Sequence, residues 1–439
     1  MRSDLPKVLH QIGGRPLLAH VLDTAHALGA AHVHVVYGHG GERVPDEIAD
    51  ERATWVLQTE QHGTGHAVMQ AMPGVGDDTI VLVLYGDVPL IKTATLKGLI
   101  DAASDSALAL LTMELAEPGA YGRIVRDQDN SITSIVEKKD ATETQLAIRE
   151  INTGFLAAPA SKLRQWLSRL SNDNSQGEYY LTDVVAMAVE EGYSVVSQNP
   201  ATVAEIEGIN SKIELARMER KYQMQQAEAL MAQGLTLRDP ARFDLRGELK
   251  IGRDVTIDIN VIIEGKVELG DNVVVGPNTL LRDCTVGANT MVLANCVMEE
   301  SSVGASCRIG PFARLRPGAA VADHAHIGNF VEIKNSSIGE GSKVNHLAYV
   351  GDTEIGVKVN VGAGAITANY DGANKHKTLI GDGASIGANS VMIAPVKVGK
   401  DATLGAGTIL RRDAPDGELT ISAGQQRSIK DWNRPRKKQ

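Results

Sequence analysis

Residues 251–276 read Ile-Gly-Arg-Asp-Val-Thr-Ile-Asp-Ile-Asn-Val-Ile-Ile-Glu-Gly-Lys-Val-Glu-Leu-Gly-Asp-Asn-Val-Val-Val-Gly. An aliphatic residue returns at every sixth position, at Ile251, Ile257, Ile263, Leu269 and Val275, and Gly252, Gly270 and Gly276 follow three of them. The register resumes at Val286, Val303, Ile309, Leu315, Val321, Ile327 and Ile333, then at Ile338, Val344, Val350, Ile355 and Val361. It closes with Ile380, Ile386, Met392, Val398 and Leu404. This period is the pattern of a parallel β-helix, in which each unit forms one flat side and three sides form a coil. The aliphatic residue points inward and stacks on its copies in the coils above and below. The Gly that follows it is expected at a corner, where φ turns positive.

The breaks in this register also carry information. Five-residue steps at Leu281–Val286, Met298–Val303, Ile333–Ile338 and Val350–Ile355 read as tight corners that lose a residue. The long step from Val361 to Ile380 holds Ala365 to Thr378, read as a loop thrown out from the solenoid. Insertions in repeat proteins map to loops, often on the binding face. A packed solenoid interior leaves no room for a site, so chemistry is expected on the outside, in a groove between neighbouring helices.

Composition agrees. Of 439 residues, 4% are aromatic and 44 are Gly, as suits a thin solenoid filled by small aliphatic side chains. The net charge of −10 makes nucleic acid a poor partner. The basic stretch Arg434 to Gln439 reads as a solvated tail. Cys284, Cys296 and Cys307 lack the paired spacing of a zinc site or a disulfide framework, and read as buried thiols in a reducing cytoplasm. No signal peptide and no apolar run long enough to span a bilayer is apparent.

Before the repeat, strands alternate with helices. His32–Tyr37 and Ile80–Tyr85 read as strands, the second covered on both faces; residues 16–28 and 94–103 read as helices. The βαβ pattern predicts an open doubly wound sheet with ligands at the carboxyl ends of its strands. Asp87 sits at such an end, where a carboxylate suits magnesium bridging phosphates, or alternatively caps the next turn. Gly63-Thr64-Gly65 follows the strand-like Trp55–Leu57, and its backbone amides are expected to approach a base or phosphate; a plain turn is the alternative. The charged stretch from Ser211 to about Gln233 reads as a long connecting helix.

Together the segments Ser3–Lys7, Gln58 with Gly63–Ala67, Tyr85–Leu90 and Gly119–Ile124 resemble sugar-nucleotide pyrophosphorylases, as do Ile135–Lys138, Glu150–Gly154 and Glu207–Asn210. Followed by a hexapeptide solenoid, the chain resembles, nearly end to end, the bacterial family of bifunctional N-acetylglucosamine-1-phosphate uridyltransferase / glucosamine-1-phosphate acetyltransferase. The resemblance implies an α/β plus β architecture. A Rossmann-like nucleotidyltransferase sheet would span residues 1–212, a helical linker 213–233, and a left-handed parallel β-helix of hexapeptide repeats 234–439.

It also implies two reactions. The solenoid moves an acetyl group from acetyl-CoA to the amine of glucosamine 1-phosphate. The sheet half then joins that product to UTP with Mg2+, giving UDP-N-acetylglucosamine, which feeds peptidoglycan and lipopolysaccharide synthesis, and pyrophosphate. Lys7 would hold phosphates, and Gln58, Gly63 and Thr64 would contact uracil and its neighbours. Asp87 and Asn210 would hold the metal; Gly122, Glu137 and Asn152 would read the N-acetylglucosamine; Tyr85 and Gly86 complete that set. In the solenoid, His346 would be the base that takes the amine's proton. Arg316, Lys334 and Lys375 would bind the sugar phosphate, with Tyr349 and Asn360 orienting the sugar. Asn369 and Tyr370 would line the thioester pocket, with Ala363, Ala388, Ala406 and Ala423 bordering the CoA. Family members are trimers with sites between subunits.

The sequence departs from the family pattern in places. A first strand and a Gly-rich loop of the type Leu-Ala-Ala-Gly-x-Gly-Thr-Arg, expected just ahead of Met1, are not in the sequence, so the expectation is an N-terminally truncated version with an impaired uridylyl step. Ala388 stands where Ser is common and Ala423 where a basic residue reaches the CoA phosphates, which implies a raised acetyl-CoA requirement. Two other readings stay open: another solenoid-bearing pyrophosphorylase, and a non-catalytic trimeric scaffold or sugar-nucleotide binding module.

Overall fold

A computed structural model describes residues 1–38, 40–422, 424, 428, 430 and 432. Ala423 and the basic stretch Arg434 to Gln439 lie outside the described residues. The chain divides into two compact units, Met1–Tyr222 and Gln223–Gln439. The helix Lys212–Ala232 contributes to both. In the first unit its Met218 packs with Ile12, Leu17, Leu90 and Ile209. In the second, Ala227 and Leu230 join the core under Phe243, and the Gln223 side chain bonds the Leu245 N–H at 2.7 Å and its C=O at 2.9 Å.

The first unit is built on a mixed sheet. Glu150–Pro159 runs through it and pairs antiparallel with Ile80–Val83, Ala107–Glu114 and Arg123–Arg126. Ser194–Gln198 adds parallel to Ala107–Glu114, and Ile132–Val136 adds antiparallel to Arg123–Arg126. Val33–Tyr37 and Ala53–Leu57 pair in parallel as a separate two-stranded sheet. The expected doubly wound sheet is therefore mixed, with the antiparallel strand Glu150–Pro159 holding it together. As expected, Ile80–Tyr85 is covered on both faces: Val81 and Val83 pack against one core and Leu82 and Leu84 against the other. The strand spans Ile80–Val83, Ile80 is exposed, and among the described residues its pairing is along one edge only. Leu96, Leu99, Leu111, Ile151 and Phe155 form the core on one side of the sheet, and Leu163, Trp166, Val184 and Val185 lie in that on the other.

The second unit is the parallel solenoid. One face stacks short strands such as Arg308–Ile309, His326–Asn329, Lys343–His346 and Asn360–Val361. The other two faces run through Arg314–Leu315, Glu332–Lys334 and Tyr349–Gly351, and through Ala320–Val321, Ser337–Ile338 and Thr353–Ile355. Ile257, Val275, Val292, Ile309, Ile327, Val344 and their counterparts on the other faces form one continuous core. The five-residue steps are corners, turned by Asp283, Glu300, Asn335 and Asp352, all at positive φ.

Two readings of the repeat need correction. Gly310 apart (φ +93°), the Gly after the aliphatic residue does not supply the positive φ; Asp254, Asn272 and Asn278, two positions later, do. That Gly is required by close approach: a Cβ on Gly270 would lie 2.7 Å from the Ala288 nitrogen, and on Gly287 2.5 Å from the Gly304 carbonyl carbon. Asn and Asp tolerate the left-handed region better than other side chains, and the Asn side chains also bond between coils, Asn260 to Asn278 at 3.0 Å. The insertion is also shorter than expected. Ile366–Ala368 is still a strand of the solenoid, with buried Thr367 in the inward position, so the loop covers residues 369–377.

Candidate functional site

In the first unit a cavity of about 540 Å³ opens beside the sheet. It gathers Thr64, Tyr85, Asp87, Gly122, Glu137, Asn152 and Asn210, seven residues given roles from the sequence, and joins to them Tyr121 and Glu207, which lie in the quoted motifs without a role, and Thr182, Arg217 and Lys221, which the sequence reading missed. Asn152 is placed by the strand Glu150–Pro159, and its N–H donates to the Gly122 carbonyl at 2.9 Å. A Cβ on Gly122 would sit 3.4 Å from both Glu137 carboxylate oxygens, so Gly keeps room in front of that carboxyl. Burial pushes the Glu137 carboxyl above the usual carboxylate range, against a 3.2 Å bond from the Thr182 hydroxyl. Burial likewise pushes the Tyr85 phenol up to about 12, so it stays a neutral donor. Tyr85 packs edge-on against Phe155 and closely over Gly154, whose φ of +93° favours glycine.

At the rim, the Lys7 ammonium donates to Asp87 Oδ2 at 2.6 Å and to Asn210 Oδ1 at 2.9 Å. These two hard oxygens aimed at one cation fit a small divalent ion that completes its shell with water and substrate phosphate. Among the described residues no group of three or more His, Cys, Asp or Glu is placed to hold a metal.

Gln58, Gly63 and Gly86 do not line this cavity. The buried Gln58 side chain is turned to His66 Nδ1 at 3.0 Å and to the Gly63 carbonyl at 3.4 Å. In the Gly63-Thr64-Gly65 turn the Gly65 amide is not free for a base or phosphate. The Gly65 N–H donates to the Tyr179 carbonyl at 2.8 Å, and a Cβ on Gly63 would meet that same oxygen at 2.8 Å. These glycines admit residues 178–181, while the Thr64 side chain remains on the cavity wall.

In the solenoid, the named residues fall along two corners and the face between them. His346 ends the strand Lys343–His346, exposed, with Nδ1 2.8 Å from Asn329 Oδ1 one coil below. With that carboxamide oxygen accepting, Nδ1 carries the proton and Nε2 keeps its lone pair toward solvent. Backbone bonds climb the same corner from the His346 carbonyl to the Gly364 N–H, from Ala363 to Asn389 and from Ala388 to Gly407. His346, Ala363, Ala388 and Ala406 thus form one column, a track of small side chains rising about 4.8 Å per coil.

At the opposite edge of the face, Lys334 and Lys375 stand beside Asp352, and Arg316 lies near Lys334. Arg316 holds Glu332 at 2.7 Å. Direct contact with Lys375, then burial, pushes the Lys334 amine below its ordinary value. Burial works against the ionised Asp352. Bonds from Asn335 at 2.5 Å and from Asn369, with the charges of Lys334 and Lys375, outweigh it and hold the carboxyl below the usual range. The Tyr349 hydroxyl and Asn369 carboxamide both lie over Gly351, where a Cβ would be 2.6 and 2.8 Å from them. Two neighbouring ammonium groups with one shared carboxylate leave positive charge for an anion. Tyr370 is exposed on the loop. Asn360 is not brought to this group: it pairs with Lys343 and Ser385 on another face of the prism.

The chain matches family models of a MobA-like NTP transferase domain over residues 1–140, a GMPPB C-terminal domain over 245–327 and bacterial transferase hexapeptide repeats over 377–412. It is 56% identical over 435 residues, 99% of this chain and 95% of the relative, to the bifunctional protein GlmU of Thiobacillus denitrificans. Identity is 53% to that of Marinobacter nauticus, over 100% of this chain and 96% of the relative. It is 55% to that of Methylococcus capsulatus, over 100% and 95% respectively.

Proposed function

Because this chain belongs to the bifunctional GlmU family, we propose that its two sites perform consecutive steps toward UDP-N-acetylglucosamine: N-acetylation of glucosamine 1-phosphate by acetyl-CoA in the solenoid, then uridylyl transfer from UTP in the sheet unit. The observation that carries this reading is the solenoid face, with a histidine at one edge and an anion-binding group of cations at the other.

Lys334, Lys375 and Arg316 fix the sugar phosphate, which places the amine along the face toward His346. Nε2 of His346 takes a proton from the amine as it attacks the thioester carbonyl. The carbon–nitrogen bond forms, the carbon–sulfur bond breaks, and the thiolate is protonated. The Ala363–Ala388–Ala406 track leaves a shallow channel for the acyl donor, because larger side chains would fill it. In the sheet unit, Glu137, Asn152 and Gly122 hold the N-acetylglucosamine, and Lys7 engages nucleotide phosphate. Asp87 and Asn210 would hold magnesium, which would supply charge neutralisation on the phosphates. Positioning provides the rest: the sugar phosphate attacks the α-phosphorus in line and pyrophosphate leaves.

The assembly is a homotrimer. Asn360 faces away from the sugar-phosphate group of its own chain, so it joins a site only when another copy presents it. Beside the His346 column, Phe312, Phe330 and Leu347 are 48%, 56% and 63% exposed at positive-φ corners, and a second copy covers them. Among the described residues no helix is long and apolar enough to cross a membrane. The three unpaired thiols suit a reducing cytoplasm.

Separating the half-reactions tests this reading. His346→Ala should lower acetyl transfer at least about 10²-fold, the usual worth of a general base, and leave uridylyl transfer from supplied N-acetylglucosamine 1-phosphate as in the parent. Asp87→Asn should do the reverse. Equal loss of both activities in either variant would sink the assignment.

A further inference from the structure

The Lys7 ammonium stands at the point on which the two candidate metal-binding oxygens converge, 2.6 Å from Asp87 Oδ2 and 2.9 Å from Asn210 Oδ1. The backbone that carries each oxygen is anchored without it. The Ile209 N–H donates to the Asp87 carbonyl at 3.1 Å and so ties residues 87 and 209 together. The Asn210 N–H is held by Glu214 at 2.6 Å, next to the start of the helix Lys212–Ala232. Gly208 lies against the Asp87 carboxylate, where a Cβ would be 3.5 Å from Oδ2. Lys7, by contrast, enters from the short turn Lys7–Leu9 with its side chain 40% exposed, against 19% for Asp87. The oxygens are the fixed part of the arrangement and the ammonium is the part able to leave.

We propose that Lys7 is a placeholder cation for the metal: its ammonium neutralises Asp87 until a divalent ion arrives, is expelled by it, and only then reaches the nucleotide phosphates. This rests on the reading of Asp87 and Asn210 as the metal-binding pair. A monovalent and a divalent cation cannot share two oxygens, because their repulsion at contact distance is several-fold larger than thermal energy even at the effective dielectric of a protein surface. The flexible four-carbon stem of lysine allows the ammonium to swing from the carboxylate to a phosphate without moving the backbone. Metal entry and phosphate capture by Lys7 are then one event. In the absence of nucleotide, Lys7 opposes metal binding.

The test is a Mn2+ titration of the full chain without nucleotide, at low ionic strength, with free Mn2+ read by electron paramagnetic resonance. Lys7→Gln should bind Mn2+ about tenfold more tightly than the parent, or about 1.4 kcal/mol. Lys7→Met should do the same, which guards against an effect peculiar to the Gln amide. Lys7→Arg retains the competing charge and should bind no more tightly than the parent. Asp87→Asn, alone or with Lys7→Gln, should abolish the site. Equal or weaker Mn2+ binding by both neutral variants overturns the placeholder role, as does no binding by any chain. Undiminished binding in Asp87→Asn instead overturns the metal assignment on which the role rests.

Discussion

Gly351→Ala is the sharpest probe of the solenoid site, because it inserts a single carbon at the centre of the proposed substrate contacts. Gly351 ends the strand Tyr349–Gly351, is buried, and donates its N–H to the Thr367 hydroxyl at 2.7 Å. The added Cβ would lie 2.6 Å from the Tyr349 hydroxyl oxygen and 2.8 Å from the Asn369 carboxamide nitrogen, closer than real Cβ contacts come. Both groups must recede by several tenths of an ångström. The Tyr349 ring is rigid and Asn369 is tied to Asp352, so the movement is passed to the sugar and to the loop that carries Lys375. Misplacement of positioning groups on the scale of about 1 Å costs roughly 10²-fold in rate, or about 2.7 kcal/mol of transition-state stabilisation. Overpacking of this kind costs about 1–3 kcal/mol of stability. The assay follows CoA release against glucosamine 1-phosphate concentration, alongside thermal melting. A fall in kcat/KM of about 10²-fold in a folded protein is expected. Gly372→Ala is the comparison: its φ of +103° strains the same loop, but no atom lies within 4 Å of the new carbon, so its loss should be much smaller. A folded Gly351→Ala protein with parental kcat/KM would refute the placing of Tyr349 and Asn369 at the substrate.

Glu137→Gln should raise the melting temperature of the sheet unit at neutral pH. The folded carboxyl is held above its unfolded value by burial, so the native state loses stability as pH rises from the unfolded pKa through the folded one. The gain from Gln should fade below a pH of about 4, where both states are protonated, and a gain that persists there would contradict the cause given. The three cysteines should be silent to a disulfide-exchange reagent in the native protein at pH 8 and all three should react after unfolding. Burial pushes Cys284 up to about 12 and raises Cys296 and Cys307, so neither thiolate nor access is available. Rapid native labelling would show that the solenoid opens.

The solenoid was legible because its period is enforced by stacking: every aliphatic position named from Ile257 to Leu404 is buried in one core. The five-residue steps were legible for the same reason, since a missing residue shifts all that follows. Thr367 was missed because a polar residue fills an inward slot, satisfied there by the Gly351 N–H and carbonyl. The role of the repeat glycines was misread because the distance to the next coil is not visible within one coil. In the sheet unit, the resemblance found residues that contact one another across the cavity. Thr182, Arg217 and Lys221 are chemically ordinary and lie outside the motifs, and only the tertiary fold brings them to the wall. The position of Asn360 on another face could not be seen from its rank in the repeat without knowing which side each unit forms.

The central claim is tested most directly by incubating the protein with glucosamine 1-phosphate, acetyl-CoA, UTP and magnesium and separating the products by mass over time. The account predicts N-acetylglucosamine 1-phosphate first, followed by UDP-N-acetylglucosamine, with the second product lost when UTP or metal is withheld and both lost without acetyl-CoA. Acetyl-CoA binding without formation of either product would contradict it and return the chain to the reading of a non-catalytic scaffold.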